Sequence, residues 1–196
     1  MKIIAGEFRG RSILAPRDQS TTRPITGRVR TSVFDRLMAR GLFDDEPVVD
    51  VFAGTGTLGI EALSRGASAC MFVERDREAV RRLKRNIETL DIADRCEVRD
   101  VDALQRGWLD HMPRPFSEGI AVAFVDPPYA VWRDREQTHR LEALMAAMSG
   151  RVIVDGVLVL RTPKQVDVPT VDGWSEPEQT VYGSQAVALY ARAVGM

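Results

Sequence analysis

The 196-residue sequence predicts an α/β fold with a doubly wound, mostly parallel sheet, and three observations carry that expectation. From Pro47 onward, apolar runs alternate with segments of helical period, the pattern of strands covered on both faces by helices. A glycine-rich turn from Asp50 to Gly59 sits where the first of these strands meets the first of these helices. The last two strand-like runs are joined through the turn signal Gly183-Ser184, which closes the sheet with an antiparallel hairpin. The length suits one domain over residues 1–196, with a basic N-terminal extension over 1–40 and an α/β core over 41–196.

In chain order, Lys2–Ala5 and Arg11–Ala15 read as a β-hairpin around the turn signal Gly6 to Gly10, and Pro16–Thr22 as a polar loop. Val29, Val33 and Leu37, with Phe34 and Met38 beside them, form a helical stripe that ends before Gly41. The strand candidates that follow are Val48–Phe52, Ala69–Val73, Cys96–Arg99 and Ile120–Val125. Helices are expected over Thr57–Arg65, over Asp76–Leu90 on the stripe Val80, Leu83, Ile87 and Leu90, and around Leu141, Leu144, Met145 and Met148. Val157–Arg161, Thr180–Tyr182 and Ala186–Ala191 complete the strands.

Composition narrows the function. With 44% hydrophobic and 28% charged residues the chain matches globular proteins, and no apolar run reaches the roughly 20 residues that span a bilayer. The charged start, Met1 to Arg11, is unlike a signal peptide, so a cytoplasmic protein without membrane contact is expected. Cys70 and Cys96 sit in strand-like runs and read as buried free thiols; His111 and His139 have no neighbour at metal-ligand spacing, so no metal site is expected. Net charge is −1, yet the first forty residues carry +6 and the remainder −7. A basic arm on an acidic body is suited to phosphates, which makes Arg9, Arg11, Arg23, Arg28 and Arg30 candidate RNA-binding residues, with a solvated charged face as the alternative.

Gly54, Gly56 and Gly59 spell GxGxxG at the strand-to-helix turn, so Asp50, Ala53, Gly54, Thr55, Gly56 and Gly59 are candidate cofactor-binding residues. Glu74, 20 residues after Gly54, ends the next strand, where an acid accepts both hydroxyl hydrogens of a ribose. A nicotinamide dinucleotide and S-adenosylmethionine both present an adenosine ribose there. Asp50 favours the second, because an acid before the loop suits an amino-acid ammonium and gains nothing from a pyrophosphate.

Asp126-Pro127-Pro128-Tyr129 follows the apolar run Ile120–Val125 and lies on the same rim as the glycine loop. The prolines restrict the backbone, so the Asp126 carboxylate and Pro127 carbonyl are neighbouring acceptors for the two hydrogens of an exocyclic amine, and Tyr129 offers a ring for stacking. An aryl amine is a poor nucleophile because its lone pair is delocalised. Two acceptors favour pyramidal nitrogen and aim that lone pair at a sulfonium methyl, a displacement that positioning and electrostatics catalyse without a covalent nucleophile.

With these motifs the sequence resembles the S-adenosylmethionine-dependent methyltransferases, and within them the RsmD family of 16S ribosomal RNA guanine-N2 methyltransferases. The resemblance spans nearly the whole chain: Ile3-Ile4-Ala5-Gly6 with Arg9-Gly10-Arg11, Arg23 to Arg30, Asp50 to Ala67, Asp126 to Tyr129 and Tyr182-Gly183-Ser184. It implies a seven-stranded Rossmann-like sheet, S-adenosylmethionine as cofactor, Asp102 as an adenine contact, Asp126, Pro127, Pro128 and Tyr129 as catalytic residues, and a monomer acting on ribosomal RNA of the small subunit. The chain departs from the family pattern at Thr31, where a Glu is usual, and near Arg161, where an acid is usual. The same tetrapeptide chemistry also serves DNA adenine N6 or cytosine N4 and protein glutamine; a dehydrogenase and a non-catalytic RNA-binding module remain the more distant alternatives.

Overall fold

The computed structural model describes residues 1–17 and 25–193. Val48–Val51 (β1) is apolar apart from Asp50 and becomes an interior strand of the sheet, buried on both faces. It pairs in parallel with Cys70–Glu74 (β2) on one side and Ile120–Val125 (β4) on the other. Cys96–Asp100 (β3) adds to β2, and Val152–Pro163 (β5) to β4, both in parallel. Glu178–Tyr182 (β6) and Gln185–Ala191 (β7) form the closing antiparallel hairpin, with β7 against β5. Among the described residues the sheet is seven-stranded, in the order β3-β2-β1-β4-β5-β7-β6. The order reverses between β1 and β4, so a crevice is expected at the carboxyl ends of these two strands.

Strand residues alternate between two apolar layers, as a period of two requires. Val48 and Phe72 face the layer built with Gly27–Met38 (α1), Thr57–Ser64 (α2) and Arg77–Leu90 (α3), whereas Val49, Val51 and Val73 face Arg135–Ser149 (α4) and Trp108. The N-terminal arm belongs to the first layer: Ile3, Phe8, Ile13 and Ile25 join Val33, Phe34 and Leu37 in the core.

Four expectations change in detail. The N-terminal hairpin forms but is short: Lys2 and Ser12 make one antiparallel bridge, the Ile3 N–H bonds the Arg11 carbonyl at 3.1 Å and the Ile13 N–H the Met1 carbonyl at 2.8 Å, while other backbone groups of the arm bond the body. Ile4 and Ala5 donate to Glu61, Phe8 to Ser64 Oγ and Leu14 to Asn86. In α1 the inward stripe takes Arg30 in place of Met38, which is exposed. Cys70 and Cys96 are both free thiols, but Cys96 is only half-buried, since β3 is an edge strand with one neighbour. The strand at Val157–Arg161 also extends back to Val152.

Candidate active site

The turn from β1 into α2 is held by side chains and backbone conformation together. Asp50, sealed from solvent within β1, accepts the Gly59 N–H at 2.8 Å through Oδ2, placing a carboxylate at the positive end of α2. Phe52 adopts a left-handed conformation, φ 62°, which for a bulky residue costs on the order of 1–3 kcal/mol and marks the point where the strand must bend. Gly54 follows at φ 57°. A Cβ at Gly54 would meet nothing within 4 Å, so this half-buried residue leaves open space on its cavity side for a ligand.

Gly56 and Gly59 do different work. A Cβ at Gly59 would lie 2.4 Å from both Cys70 Sγ and Phe72 Cε1, and one at Gly56 would lie 2.4 Å from Leu83 Cδ1. Gly59 therefore lets α2 pack closely on β2, and Gly56 lets the loop lie against α3. Neither is part of the cavity wall.

Glu74 fastens the loop to the end of β2. Its Oε2 accepts the Gly54 N–H at 2.8 Å, while Oε1 accepts the N–H groups of Arg75 and Asp76. Asp102 accepts from Arg75 Nη1 at 2.8 Å and from the Leu104 N–H at 3.1 Å. At the end of β4, the Asp126 N–H bonds the Val51 carbonyl at 3.2 Å, which ties the tetrapeptide to β1. Pro128 accepts the Val131 N–H and closes the turn; the Tyr129 hydroxyl is buried and, among the described residues, has no hydrogen-bond partner.

These elements enclose a cavity of about 610 Å³, within the usual size of a small-molecule site. Asp50, Ala53, Gly54, Thr55, Glu74, Asp102, Asp126 and Pro128 line it, whereas Pro127 and Tyr129 stand in the adjoining turn. Pro16, Arg17 and Ile25 add a wall from the N-terminal arm. Six carboxylates face four arginines in the lining, which favours a ligand with positive charge. Burial pushes the Asp50 carboxyl well above its ordinary range; the Gly59 N–H opposes this, and the charges of Asp126 and Glu74 reinforce it. Thr55 Oγ1, buried on the same wall, has no hydrogen-bond partner among the described residues.

The arm arginines separate into distinct roles. Arg9 and Arg28 are exposed. Arg11 donates to the carbonyls of Thr89 and Leu90, where a cation complements the end of α3. Arg30 departs from the surface role expected of it: its side chain is 3% exposed, donates to the Lys2 carbonyl and pairs with Glu61. Helical period turns position 30 inward with Val33 and Leu37, and Glu61 compensates the buried charge. Arg23 lies outside the described residues. The site residues that motif reading missed include Arg161, Arg17, Arg82 and Gln137, all in the cavity wall and none in a local motif.

A family model described as "Conserved hypothetical protein 95" matches residues 1–191. The chain belongs to this family. Membership bears out the resemblance to the RsmD methyltransferases and the seven-stranded fold that it implied. "Putative rRNA methyltransferase YlbH" of Bacillus subtilis is 36% identical over 195 residues, covering 98% of this chain and 99% of that protein. "Ribosomal RNA small subunit methyltransferase D" of Escherichia coli K12 is 32% identical over 193 residues, covering 98% and 90%. Among solved structures, "Putative methyltransferase yhhF from Escherichia coli" superimposes with a TM-score of 0.78 at 30% identity, covering 98% of this chain and 97% of that one. Among the described residues, no group of three or more His, Cys, Asp or Glu is placed to hold a metal ion, and no helix is long and apolar enough to cross a membrane.

Proposed function

We propose that this chain transfers a methyl group from S-adenosylmethionine to the exocyclic N2 amine of a guanine in small-subunit ribosomal RNA. The observation that carries the reading is the placement of Asp126 in one cavity with Asp50, Gly54 and Glu74, at the point where the sheet reverses its order. The residues present fit the cofactor. Among the described residues Thr55 Oγ1 is a buried polar group without a partner, Gly54 leaves space where a side chain would intrude, and the acidic wall suits a sulfonium and an ammonium.

In this reading Asp50 receives the ammonium, the Gly54 backbone lies against the ligand and Glu74 takes the ribose hydroxyls. When bound, the cofactor supplies an electrophilic methyl. Asp126 and the Pro127 carbonyl accept the two hydrogens of the target amine and direct its lone pair along the line of displacement; Tyr129 stacks on the base. The amine loses a proton after it gains the methyl group, and the Asp126 carboxylate, a base where the Pro127 carbonyl is only a hydrogen-bond acceptor, is the group that first holds it.

The substrate class rests on the two relatives named for ribosomal RNA and on the arm, whose exposed Arg9 and Arg28 suit phosphate contacts. Residues 1–40 thus form an RNA-facing extension of the 41–196 core. The test is incubation with labelled S-adenosylmethionine and, in separate arms, unmodified 30S particles, naked 16S RNA, DNA and a protein extract. Labelled N2-methylguanosine in an RNA arm is expected. Label confined to DNA or to protein glutamine overturns the proposed substrate.

A further inference from the structure

Asp126 has a companion on the neighbouring strand. β4 and β5 run in parallel with Val125 opposite Leu160, so the next residue of each, Asp126 and Arg161, stand side by side at the strands' carboxyl ends. Arg161 Nε donates to Asp126 Oδ1 at 2.5 Å, and Arg161 Nη1 donates to Gln185 Oε1 at 3.0 Å. Gln185 begins β7 opposite Pro163, so the brace comes from a third strand. Arg161 and Gln185 are buried, while Asp126 is 17% exposed and opens onto the cavity.

The tetrapeptide leaves a gap that this arrangement fills. Prolines restrict the backbone around Asp126, but the terminal torsion of an Asp side chain is broad, with no deep staggered wells to fix the plane of its carboxylate. A charge-assisted bond from a planar guanidinium supplies that constraint. The guanidinium is itself fixed at a second nitrogen by Gln185. Among the described residues, Asp126 Oδ2 receives no hydrogen bond, so the oxygen left for an incoming donor belongs to a carboxylate whose plane is already set.

We propose that Arg161, braced by Gln185, is the positioning residue that orients Asp126 for its target amine. The inference rests on the methyl-transfer reading, because it takes Asp126 as the acceptor. Arg161 touches neither reacting atom in this account. It acts through the direction of the Asp126 lone pair, and small misplacement of a reacting group can lower a rate about a hundredfold.

Four proteins test this: the parent, Arg161→Met, Arg161→Lys and Arg161→Met combined with Asp126→Asn. Each is checked for folding by its thermal melt, for cofactor affinity by calorimetry and for single-turnover methylation of the RNA that the parent labels. Arg161→Met should lower the methylation rate by about ten- to a hundredfold, with cofactor affinity and the KM for RNA within about twofold of the parent. Arg161→Lys should recover part of that loss, since an ammonium still donates to Oδ1. Once Asp126 is Asn, adding Arg161→Met should change the residual rate by less than about twofold, as expected of residues that act as a unit. Full activity in Arg161→Met, a Lys variant no better than Met, or an undiminished second loss on top of Asp126→Asn each overturns the positioning role. A parent that labels no substrate in any arm overturns the methyl-transfer reading and this inference with it; an active parent beside a fully active Arg161→Met overturns this inference alone.

Discussion

Arg30 Nε stands 3.7 Å from Glu61 Oε2, and neither side chain is more than 3% exposed. Glu61 lies in α2, directly behind the glycine loop, and also accepts from the Ile4 and Ala5 N–H groups and from Arg65 Nε. The arm, α1 and α2 are therefore joined by one buried carboxylate. Removing a single partner from such a pair leaves an uncompensated charge and costs about 3–5 kcal/mol. Glu61→Ala should lower unfolding stability by that order in a urea titration. Arg30→Ala should also shift the midpoint, whereas Arg28→Ala should leave it alone and flatten the salt dependence of RNA binding by up to about 0.7–0.9 in log–log slope. A parent-like midpoint for Arg30→Ala would show that the pair contributes nothing.

Asp50 makes the opposite trade. Burial raises its carboxyl well above the ordinary value of 3.8, so the native state holds this proton more tightly than the unfolded chain does. Stability from this group is present at low pH and is lost as pH rises from about 4 through the folded-state value. Asp50→Asn can keep an oxygen for the Gly59 N–H and removes the charge. Its melting temperature should equal or exceed the parent's at neutral pH, by about 2–4 °C for each kcal/mol relieved, with a gap that narrows towards pH 4. The same variant should bind S-adenosylmethionine about ten- to a hundredfold more weakly, as expected for a lost bond to a charged group. A melting difference that widens on acidification contradicts the sign.

Gly54 and Gly59 should respond differently to alanine. At Gly59 the new methyl would overlap Cys70 and Phe72, and overpacking of this kind costs about 1–3 kcal/mol. At Gly54 there is space but φ is 57°, which costs an alanine about 1–2 kcal/mol. Gly59→Ala should therefore reduce stability with cofactor affinity retained at low temperature. Gly54→Ala should reduce affinity more than stability, because its methyl projects where the ligand approaches. Equal affinity losses from both would remove the distinction between a packing and a ligand-facing glycine.

What was legible in the sequence follows from locality. Ile120–Val125 is apolar throughout and bounded by Gly119 and Asp126, so its limits were read to the residue. The glycine loop and the tetrapeptide each declare themselves within ten residues. Arg30 was misread because its charge suggests a surface, and its buried partner lies 31 residues away in α2. Arg161 bonds Asp126 across 35 residues and Gln185 across 24, a relationship set only when β5 inserts between β4 and β7. The N-terminal hairpin was legible, but its docking was not: the N–H groups that alternate with its ladder bond Glu61, Ser64 and Asn86, all distant in sequence.

Glu74 holds three backbone N–H groups at once, from Gly54, Arg75 and Asp76. A carboxylate has about four acceptor positions, so the ribose would share this group with the loop that shapes the site. Glu74→Ala should weaken S-adenosylmethionine by about 1.5–3 kcal/mol, ten- to a hundredfold, with a smaller effect on turnover at saturating cofactor. Calorimetry giving the parent's affinity would exclude Glu74 from the ribose site.

Asp126 should show which of its two oxygens matters. Asp126→Asn can keep an oxygen facing Arg161 and then places an NH2 where Oδ2 stood, so a donor meets the donor hydrogens of the target amine. Methyl transfer should fall by about 10²–10³, the effect of losing one preorganised hydrogen bond to a reacting centre, while cofactor affinity and melting temperature stay near the parent's. Asp126→Ala should be as inactive and also less stable, because it leaves the Arg161 guanidinium without its counter-ion, with Gln185 as a remaining neutral partner. The comparison separates chemistry from folding: an active Asp126→Asn variant would mean that Oδ2 does not accept the amine, and an unchanged melt for Asp126→Ala would mean that the ion pair does not support the fold.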